Sequence, residues 1–539
     1  MKARGHLYVI DGNLTKVACD AWLLPTDELF SITTKWQHVF DETELSTVRS
    51  GNGSRRVNPR MITDDPTSLV IPFRDVDGVP VFLGKIGGTG EQGFRRAARE
   101  FLELGRKATL NVATAEHRRP VLALNHLGTG HGGARDKKWS ALGALTEVLD
   151  ELLSTEFADI DVVLVAWGSV AESASQDIRL QLCNHDPAND IRWKFHPRFH
   201  DLLMDKAHEI AGDLKSRQVS VFMGAGVSAG AGLKSWDDLL VDIGKMTVPV
   251  TTRTEIQTMH DNRDAAALLE RRLETSGTSL QKELTKRLEG NHYSLQHGLL
   301  ASLPCTEFIT TNVDSLFEIA CTQSGTTGIK EIPISQDLRV GDRWLLKLHG
   351  SVDREGSLVF TRDNYIDSFR SKRALMGLVQ SMLLTRHMVF VGYGLRDEDF
   401  HELVYEVRSA FEGRTLTSPI GTVLALFEDE ARSDLWKGIV DIVPMRPRPA
   451  DGISDTDFRF EFQAAVRELE RYLDLIGMLS VDTSKYILDS TYDTAGSQDP
   501  ATEDLAKIVE IVRGKSHQSS AWRQLQHLLE SLGADLREL

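Results

Sequence analysis

The sequence predicts an α/β protein built on parallel sheet, in two such domains followed by a helical tail. Three observations carry this. Short apolar runs alternate with segments of helical period along most of the chain. Many of these runs end in glycine or small polar residues, as expected where loops gather at the carboxyl edge of a parallel sheet. At 539 residues the chain exceeds what one hydrophobic core usually supports, so several domains are expected.

Composition narrows the function classes. Lys and Arg number 62 against 78 Asp and Glu, a formal charge of −16, so no global signal points to nucleic acid or an anionic membrane. The four cysteines, Cys19, Cys183, Cys305 and Cys321, lie far apart with no Cys-x-x-Cys pair. That argues against a disulfide framework and an all-cysteine zinc site, so no metal is expected and a reducing compartment is. The opening MKARGHLYVIDGN has too short an apolar run for a signal peptide, and no segment is long enough to span a bilayer. The expected setting is the cytoplasm.

In the first domain, taken as residues 1–200, Leu7–Ile10 and Ala21–Leu24 read as strands, the second stopped by Pro25-Thr26-Asp27. Residues 50–66, rich in Gly, Asn, Asp and Pro, read as a surface loop. Val79–Leu83 is a strand leading into Gly87-Gly88-Thr89-Gly90, and Phe94, Ala97, Ala98, Phe101 and Leu102 keep a helical period behind it. The pattern recurs with Val121–Leu124, the loop Gly128-Thr129-Gly130-His131-Gly132-Gly133, and a helix bearing Leu142, Leu145, Val148, Leu149 and Leu152. Val162–Trp167 closes the series as a buried strand.

These motifs resemble those of macro domains, which bind ADP-ribose. Gly12-Asn13-Leu14-Thr15 with Asp20-Ala21 is similar to their G-D-I-T…D-A opening, and Leu127–Gly130 with Gly133 to their I-G-T-G-x-x-G loop. Leu24-Pro25-Thr26-Asp27 departs from the family's N-A-A-N. The resemblance implies an ADP-ribose-type ligand held by Asp20, Gly87, Gly88, Gly128, Thr129, Gly130 and Gly133.

The second domain, residues 201–480, begins with a helix at His200–Leu214 and the strand Val219–Met223. The strand exits through Gly224-Ala225-Gly226, then Ser228, Gly230 and Gly232, into an amphipathic segment at Trp236. Glycine there lets backbone N–H groups approach a phosphate. A mostly helical insertion follows, through residues 264–272 and 280–288. Three further apolar strands then end in Asn312-Val313-Asp314, in His349-Gly350 and in Gly392-Tyr393-Gly394. Singly each is more often a turn than a site; together with the glycine loop they form an ordered set of four.

That set resembles the sirtuin family, over about Asp201 to Ile476. Gly224-Ala225-Gly226-Val227-Ser228 with Gly232 matches its G-A-G-x-S-x-x-x-G NAD loop. Thr311-Asn312-Val313-Asp314, Leu348-His349-Gly350 and Gly392-Tyr393-Gly394-Leu395 are similar to its later motifs, with Gly394 in place of a serine. The resemblance implies a Rossmann-like domain with NAD as substrate. It assigns Gly224, Ala225, Gly226, Ser228, Gly232, Trp236, Thr311, Gly392 and Tyr393 to the NAD pocket, and Asn312, Asp314 and His349 to catalysis. The paired Cys-x-x-Cys zinc module of protein-deacylating sirtuins is missing, and Lys234-Ser235-Trp236 replaces P-D-F-R. This combination is similar to sirtuin-like domains of bacterial antiphage and abortive-infection proteins, which hydrolyse NAD.

The chemistry fits the residue types. Breaking the nicotinamide–ribose bond passes through a cation-like ribose, so the site must hold the sugar, orient the leaving group and place water. Asn312 can bond a ribose hydroxyl or water, Asp314 can accept from the nicotinamide amide, and the His349 imidazole suits proton acceptance near neutral pH. Gly224, Ala225, Gly226 and Ser228 would hold the pyrophosphate.

Beyond the strand Gly421–Phe427, a helix carries Phe458, Phe462, Val466, Leu469, Leu473 and Ile476 on one stripe. Residues 482–504 read as a linker, and residues 481–539 as linker plus two terminal helices. Their apolar faces must dock on something, self-association being the first expectation and return to the chain's own domain the second. The leading function is an NAD+ hydrolase acting as a defence effector, gated by the N-terminal domain or by assembly as a homo-oligomer or with a defence-system partner protein. Two other readings stay open: a protein ADP-ribosyltransferase or deacylase of sirtuin type, and a non-catalytic NAD or ADP-ribose sensor.

Overall fold

Runs such as VSVFM and VVLVA, apolar on both faces, form strands buried on both sides of parallel sheets. The computed structural model describes residues 4–50, 53–62, 67–86, 90–127, 138–322, 328–335, 337–339, 341–395, 398–410, 418–492, 500–513, 515, 519–534 and 536. The chain divides into two compact units, Met1–Lys194 with Gly477–Leu539, and Phe195–Ile476.

In the first unit, β1 (Leu7–Asp11), β2 (Ala21–Thr26), β6 (Val70–Val76), β7 (Val79–Lys85), β8 (Val121–Asn125) and β9 (Asp161–Ala166) form one sheet. Its order is β1-β9-β8-β2-β7-β6, parallel except for the β6/β7 hairpin. Asp77 and Gly78 turn that hairpin with positive φ at both positions, 51° and 81°. The strand at 70–76 escapes the sequence reading because Pro72, Arg74 and Asp75 break its apolar pattern. Residues 50–66 are not all loop: β5 (Arg55–Val57) pairs with β3 (Ser31–Ile32) and β4 (Leu45–Arg49) in a small antiparallel sheet.

Helices Gly90–Ala115 and Lys138–Thr155 lay the expected apolar stripes, Phe94 to Leu102 and Leu145 to Leu152, into the core of the first sheet. A third helix, Ser169–Leu182, buries Ser173, Ser175, Gln176 and Arg179, and these polar residues hide its helical period. Within the stretch expected as a linker, residues 482–492 form packed turns and residues 500–504 belong to a helix. Short 3-10 turns at Thr483–Tyr486 and Ser490–Tyr492 bury Tyr486 and Tyr492 against Leu142, Ala174 and Ile178. The Tyr486 hydroxyl donates to Asp177 at 2.7 Å.

The terminal helices, Pro500–Val512 and Ser520–Ser531, close on each other and on Leu488 through Val509, Val512, Trp522, Leu525 and Leu529. The cover expected first from another copy is supplied for these side chains within the chain, and the buried face is set by Val509 where Ile508 was expected.

The second unit is a seven-stranded parallel sheet: β10 (Val219–Met223), β11 (Glu307–Thr310), β12 (Lys330–Ile332), β13 (Trp344–Lys347), β14 (His387–Val391), β15 (Gly421–Phe427) and β16 (Asp441–Arg446). The order β12-β13-β11-β10-β14-β15-β16 reverses direction at β10, the switch point beside which open parallel sheets receive ligands. The helical insertion between β10 and β11 has its own apolar core, built from Leu239, Leu240, Ile243, Ala265, Leu269, Leu273 and Leu284.

Replacing Tyr486 by Ala removes a buried ring and strips Asp177 of its hydroxyl donor. The expected loss is about 3 kcal/mol from the first unit. Denaturant unfolding of Tyr486→Ala checks it, and an unchanged midpoint would show that the segment only lies on the surface.

Candidate active site

The sheet register assembles the four motif segments. Met223 pairs with Thr310 and with Val391, and Thr310 pairs with Lys347, so these last strand residues stand side by side. The segments starting at Gly224, Thr311, Leu348 and Gly392 therefore leave one sheet edge together, from the adjacent strands β13, β11, β10 and β14.

Two of these segments touch backbone to backbone. The N–H of Gly224 donates to Val391 O at 2.9 Å and that of Gly226 to Gly392 O at 3.0 Å. A Cβ on Gly224 would lie 2.5 Å from Gly392 O, and one on Gly226 would lie 2.8 Å from Gly392 Cα. Gly392 adopts φ +63°, and its own Cβ would fall 2.6 Å from Val227 N. All three glycines are thus required by contact, the third also by conformation. The loop presents Ala225, Gly226, Ala229 and Gly230 to solvent. Gly232 takes φ +83° in open space.

Behind the loop lies a buried polar network. Thr310 ties the strand ends, donating to Met223 O at 3.0 Å and accepting from Asn312 N at 2.9 Å. The Asn312 amide nitrogen donates to Gly224 O and to Ser228 Oγ, each at 3.0 Å. Ser228 in turn donates to Asp314 Oδ2 at 2.9 Å, while Asp314 Oδ1 accepts from Leu316 N at 3.1 Å and starts the next helix. His297 Nε2 lies 3.4 Å from Ser228 Oγ, and its Nδ1 accepts from Ser294 N at 3.2 Å. A backbone N–H can only donate, so with Nδ1 accepting it the neutral ring carries its proton on Nε2. The Ser294 hydroxyl, 2.9 Å from Nδ1, donates to Val227 O at 2.7 Å. Burial pushes the His297 pKa down to about 4, against the pull of Asp314, so the ring is neutral near pH 7.

Lys347, at the end of β13, is buried and donates to Asp314 O and Glu318 at 2.6 Å each, and to Ser351 Oγ at 3.2 Å. Burial pushes the Glu318 carboxyl up, opposed by Lys347. His349 is buried, its ring centroid 5.1 Å from that of Tyr365, and its carbonyl accepts from Val359 N at 3.0 Å. Gly350 follows at φ +84°, where a Cβ would meet Ser357 O at 2.1 Å. This glycine lets the loop fold back behind the histidine.

Several residues assigned from sequence do other work. Ser228 is buried with its hydroxyl committed to Asn312 and Asp314, so it belongs to the support of the loop and not to a pyrophosphate cradle. Both Asp314 oxygens are used internally, which leaves the carboxylate holding Ser228 where a nicotinamide contact was expected. Trp236 stacks on Phe360, centroids 4.5 Å apart, against the core of the helical insertion. The Tyr393 ring packs on Phe222 at 4.6 Å and on Phe400 at 5.6 Å in the core of the second sheet. Thr311 is half-buried beside Asn312, and its neighbour Thr310 makes the ties.

Sequence reading missed Thr310, Lys347, Ser294 and His297. A readable signal existed for two of them: Ser294-x-x-His297 heads a helix in capping-box spacing.

In the first unit, Asp20 is at the amino edge of its sheet. It accepts from Arg118 at 2.7 and 2.8 Å and from Val121 N at 2.7 Å, a latch between the starts of β2 and β8. β7 and β8 end at Lys85 and Asn125 on the opposite edge of the sheet, so Asp20 does not stand beside those strand ends. Gly87, Gly88, Gly128, Thr129, Gly130 and Gly133 lie outside the described residues. At that carboxyl edge Asn125 donates to Val165 O at 2.8 Å, and its buried Oδ1 has no hydrogen-bond partner among the described residues.

Residues 306–439 match the family model of the SIR2-like domain. That segment of the second unit is thus similar to the SIR2-like domain. The match takes in Asn312, His349 and Gly392 and begins after the glycine loop of β10. The chain is 24% identical over 212 residues to "NAD(+) hydrolase ThsA" of Acinetobacter baumannii (strain 532279), covering 38% of this chain and 42% of that one. It is also 24% identical over 203 residues to the protein of the same name from Cytobacillus dafuensis, covering 36% and 39%. "Defense-associated sirtuin 2" of Bacillus subtilis is 30% identical over 118 residues, 21% of this chain and 12% of that protein. The chain thus spans about two fifths of the length of the first two of these curated relatives. Among the described residues no helix is long and apolar enough to cross a membrane, and no group of His, Cys, Asp and Glu is set to hold a metal.

Because His297 stays neutral when folded, the unfolded chain binds more protons between its ordinary pKa, about 6.5, and the folded value of about 4. Stability is therefore expected to fall as pH drops through that window and to level off below it. Unfolding titrations of wild type and His297→Gln check this: the slope should be shallower in the variant, and equal slopes would contradict a buried neutral imidazole.

Proposed function

We propose that the second unit is an NAD+ hydrolase that releases nicotinamide, acting as an antiphage defence effector in the cytoplasm. The observation that carries this is the convergence of Asn312, His349 and the Gly224–Gly226 loop on one edge at the sheet's switch point. The names of the relatives support the substrate and the setting. In the reaction the C1′–N bond breaks with its electron pair leaving on nicotinamide, and a water oxygen bonds C1′.

The residues divide the task as follows. The exposed Ala225–Gly226 backbone gives a phosphate close approach with no side chain in the way. Asn312 offers its amide oxygen to a ribose hydroxyl or the attacking water. His349 takes the proton that the water or ribose gives up. Asp314 and Ser228 act through Asn312 and touch no substrate. Purified protein should release nicotinamide from NAD, and Asn312→Ala and His349→Ala should each lower the rate by about 100-fold or more. Equal rates in both variants would remove the hydrolase reading. Release that requires an acyl-lysine peptide would move the assignment to a deacylase.

For the first unit we propose a macro-like ligand-binding role, at the carboxyl edge of its sheet, where Asn125 Oδ1 has no partner among the described residues. Ligand there, or assembly of copies, would gate the second unit. ADP-ribose should bind by calorimetry and bind more weakly to Gly128→Leu; unchanged affinity would end this assignment.

A further inference from the structure

The geometry points to His297 as a positioning residue that fixes which atom of Asn312 faces the pocket. The inference rests on the NAD-cleaving reading of that site. Both hydrogens of Asn312 Nδ2 are directed into the protein, to Gly224 O and Ser228 Oγ at 3.0 Å each. The amide atom left for a ligand is Oδ1, an acceptor only. A carboxamide can flip at little cost unless its neighbours discriminate nitrogen from oxygen.

Here two neighbours do so. Gly224 O is a pure acceptor and would repel the flipped oxygen. Ser228 Oγ discriminates only while its single proton is committed elsewhere, and Asp314 Oδ2 takes that proton at 2.9 Å. His297 Nε2 lies 3.4 Å from the same oxygen, and with Nδ1 accepting from Ser294 N it presents Nε2–H there and no acceptor. The serine proton thus has Asp314 alone to go to, and a lone pair is left for Asn312. The ring is held at its far nitrogen by Ser294 N, and Ser294 is itself bonded to Val227 O in the glycine loop. His297 is 1% exposed and Ser228 3%, so water does not substitute for this contact. His297 therefore coordinates two parts of the site, the register of the loop and the facing of the amide, without touching substrate.

Steady-state nicotinamide release from NAD by His297→Leu and His297→Gln of the full chain tests this. Leucine removes the donor; glutamine restores an N–H near the Nε2 position. The expected result for H297L is a kcat lower by about 10-fold or more with KM for NAD within about 2-fold, and for H297Q a recovery to within about 3-fold of wild type. Should H297L not fold, Ser228→Ala carries the same expectation of a fall in kcat at held KM. Wild-type kcat in H297L, an equal defect in H297Q, or a defect confined to KM would overturn the inference.

If the wild-type protein itself cleaves no NAD, the hydrolase reading fails separately, and the amide is then read directly. In protein labelled with 15N-asparagine, the Asn312 side-chain NH2 signals should be resolved and slow to exchange, and should lose that protection in H297L. Signals unchanged in H297L would overturn the positioning role.

Discussion

The candidate site depends on the contact between two loop backbones, Gly224–Gly226 and Gly392. Parallel pairing of β10 with β14 brings the loops to the same height, and the absence of side chains lets them meet within hydrogen-bond distance. Any Cβ at these positions would sit inside the opposite main chain. Once the loops are joined, Val227 and Ser228 are buried beneath them, and Ser228 becomes available to orient Asn312 from the next strand. The chemistry proposed for the SIR2-like unit starts from that packing.

Around this contact the protein places charge sparingly. The Asp314 carboxylate is buried, yet each oxygen has a donor. Lys347 is buried as well, held by a carbonyl, a hydroxyl and Glu318. Buried charges of this kind gain little net stability over a packed apolar core, but removing one partner is costly, which makes them effective at enforcing one geometry. His297 contributes as a neutral donor. The arrangement puts the rigid, satisfied groups behind the loop and leaves backbone and one amide oxygen in front of it.

Much of this was legible in the sequence. The strands at 219–223 and 387–391 are largely apolar on both faces, and their glycine exits, with the Asn-x-Asp exit after the strand at 307–310, mark the sheet edge without reference to tertiary structure. Other features were not legible for physical reasons. Helix Ser169–Leu182 buries polar side chains, so its period does not show as hydrophobicity. Trp236 and Tyr393 sit beside the motifs in sequence, but their rings turn into cores supplied by Phe360 and Phe222, which are distant in the chain. Asp20 precedes a strand that leads to the carboxyl edge of its sheet, but the residue itself is at the other end. Residues 482–492 look like a linker because Tyr486, Leu488 and Tyr492, the side chains that anchor them, do not make a long periodic pattern.

The proposed chemistry requires that NAD is received at the shared carboxyl edge of β10, β11, β13 and β14. Hydrogen–deuterium exchange of the full chain, with and without a non-cleavable NAD analogue, tests it most directly. Protection on binding is expected to concentrate in residues 224–232, 311–315 and 348–352. Protection confined to the first unit, or none in the 224–232 loop, would contradict it.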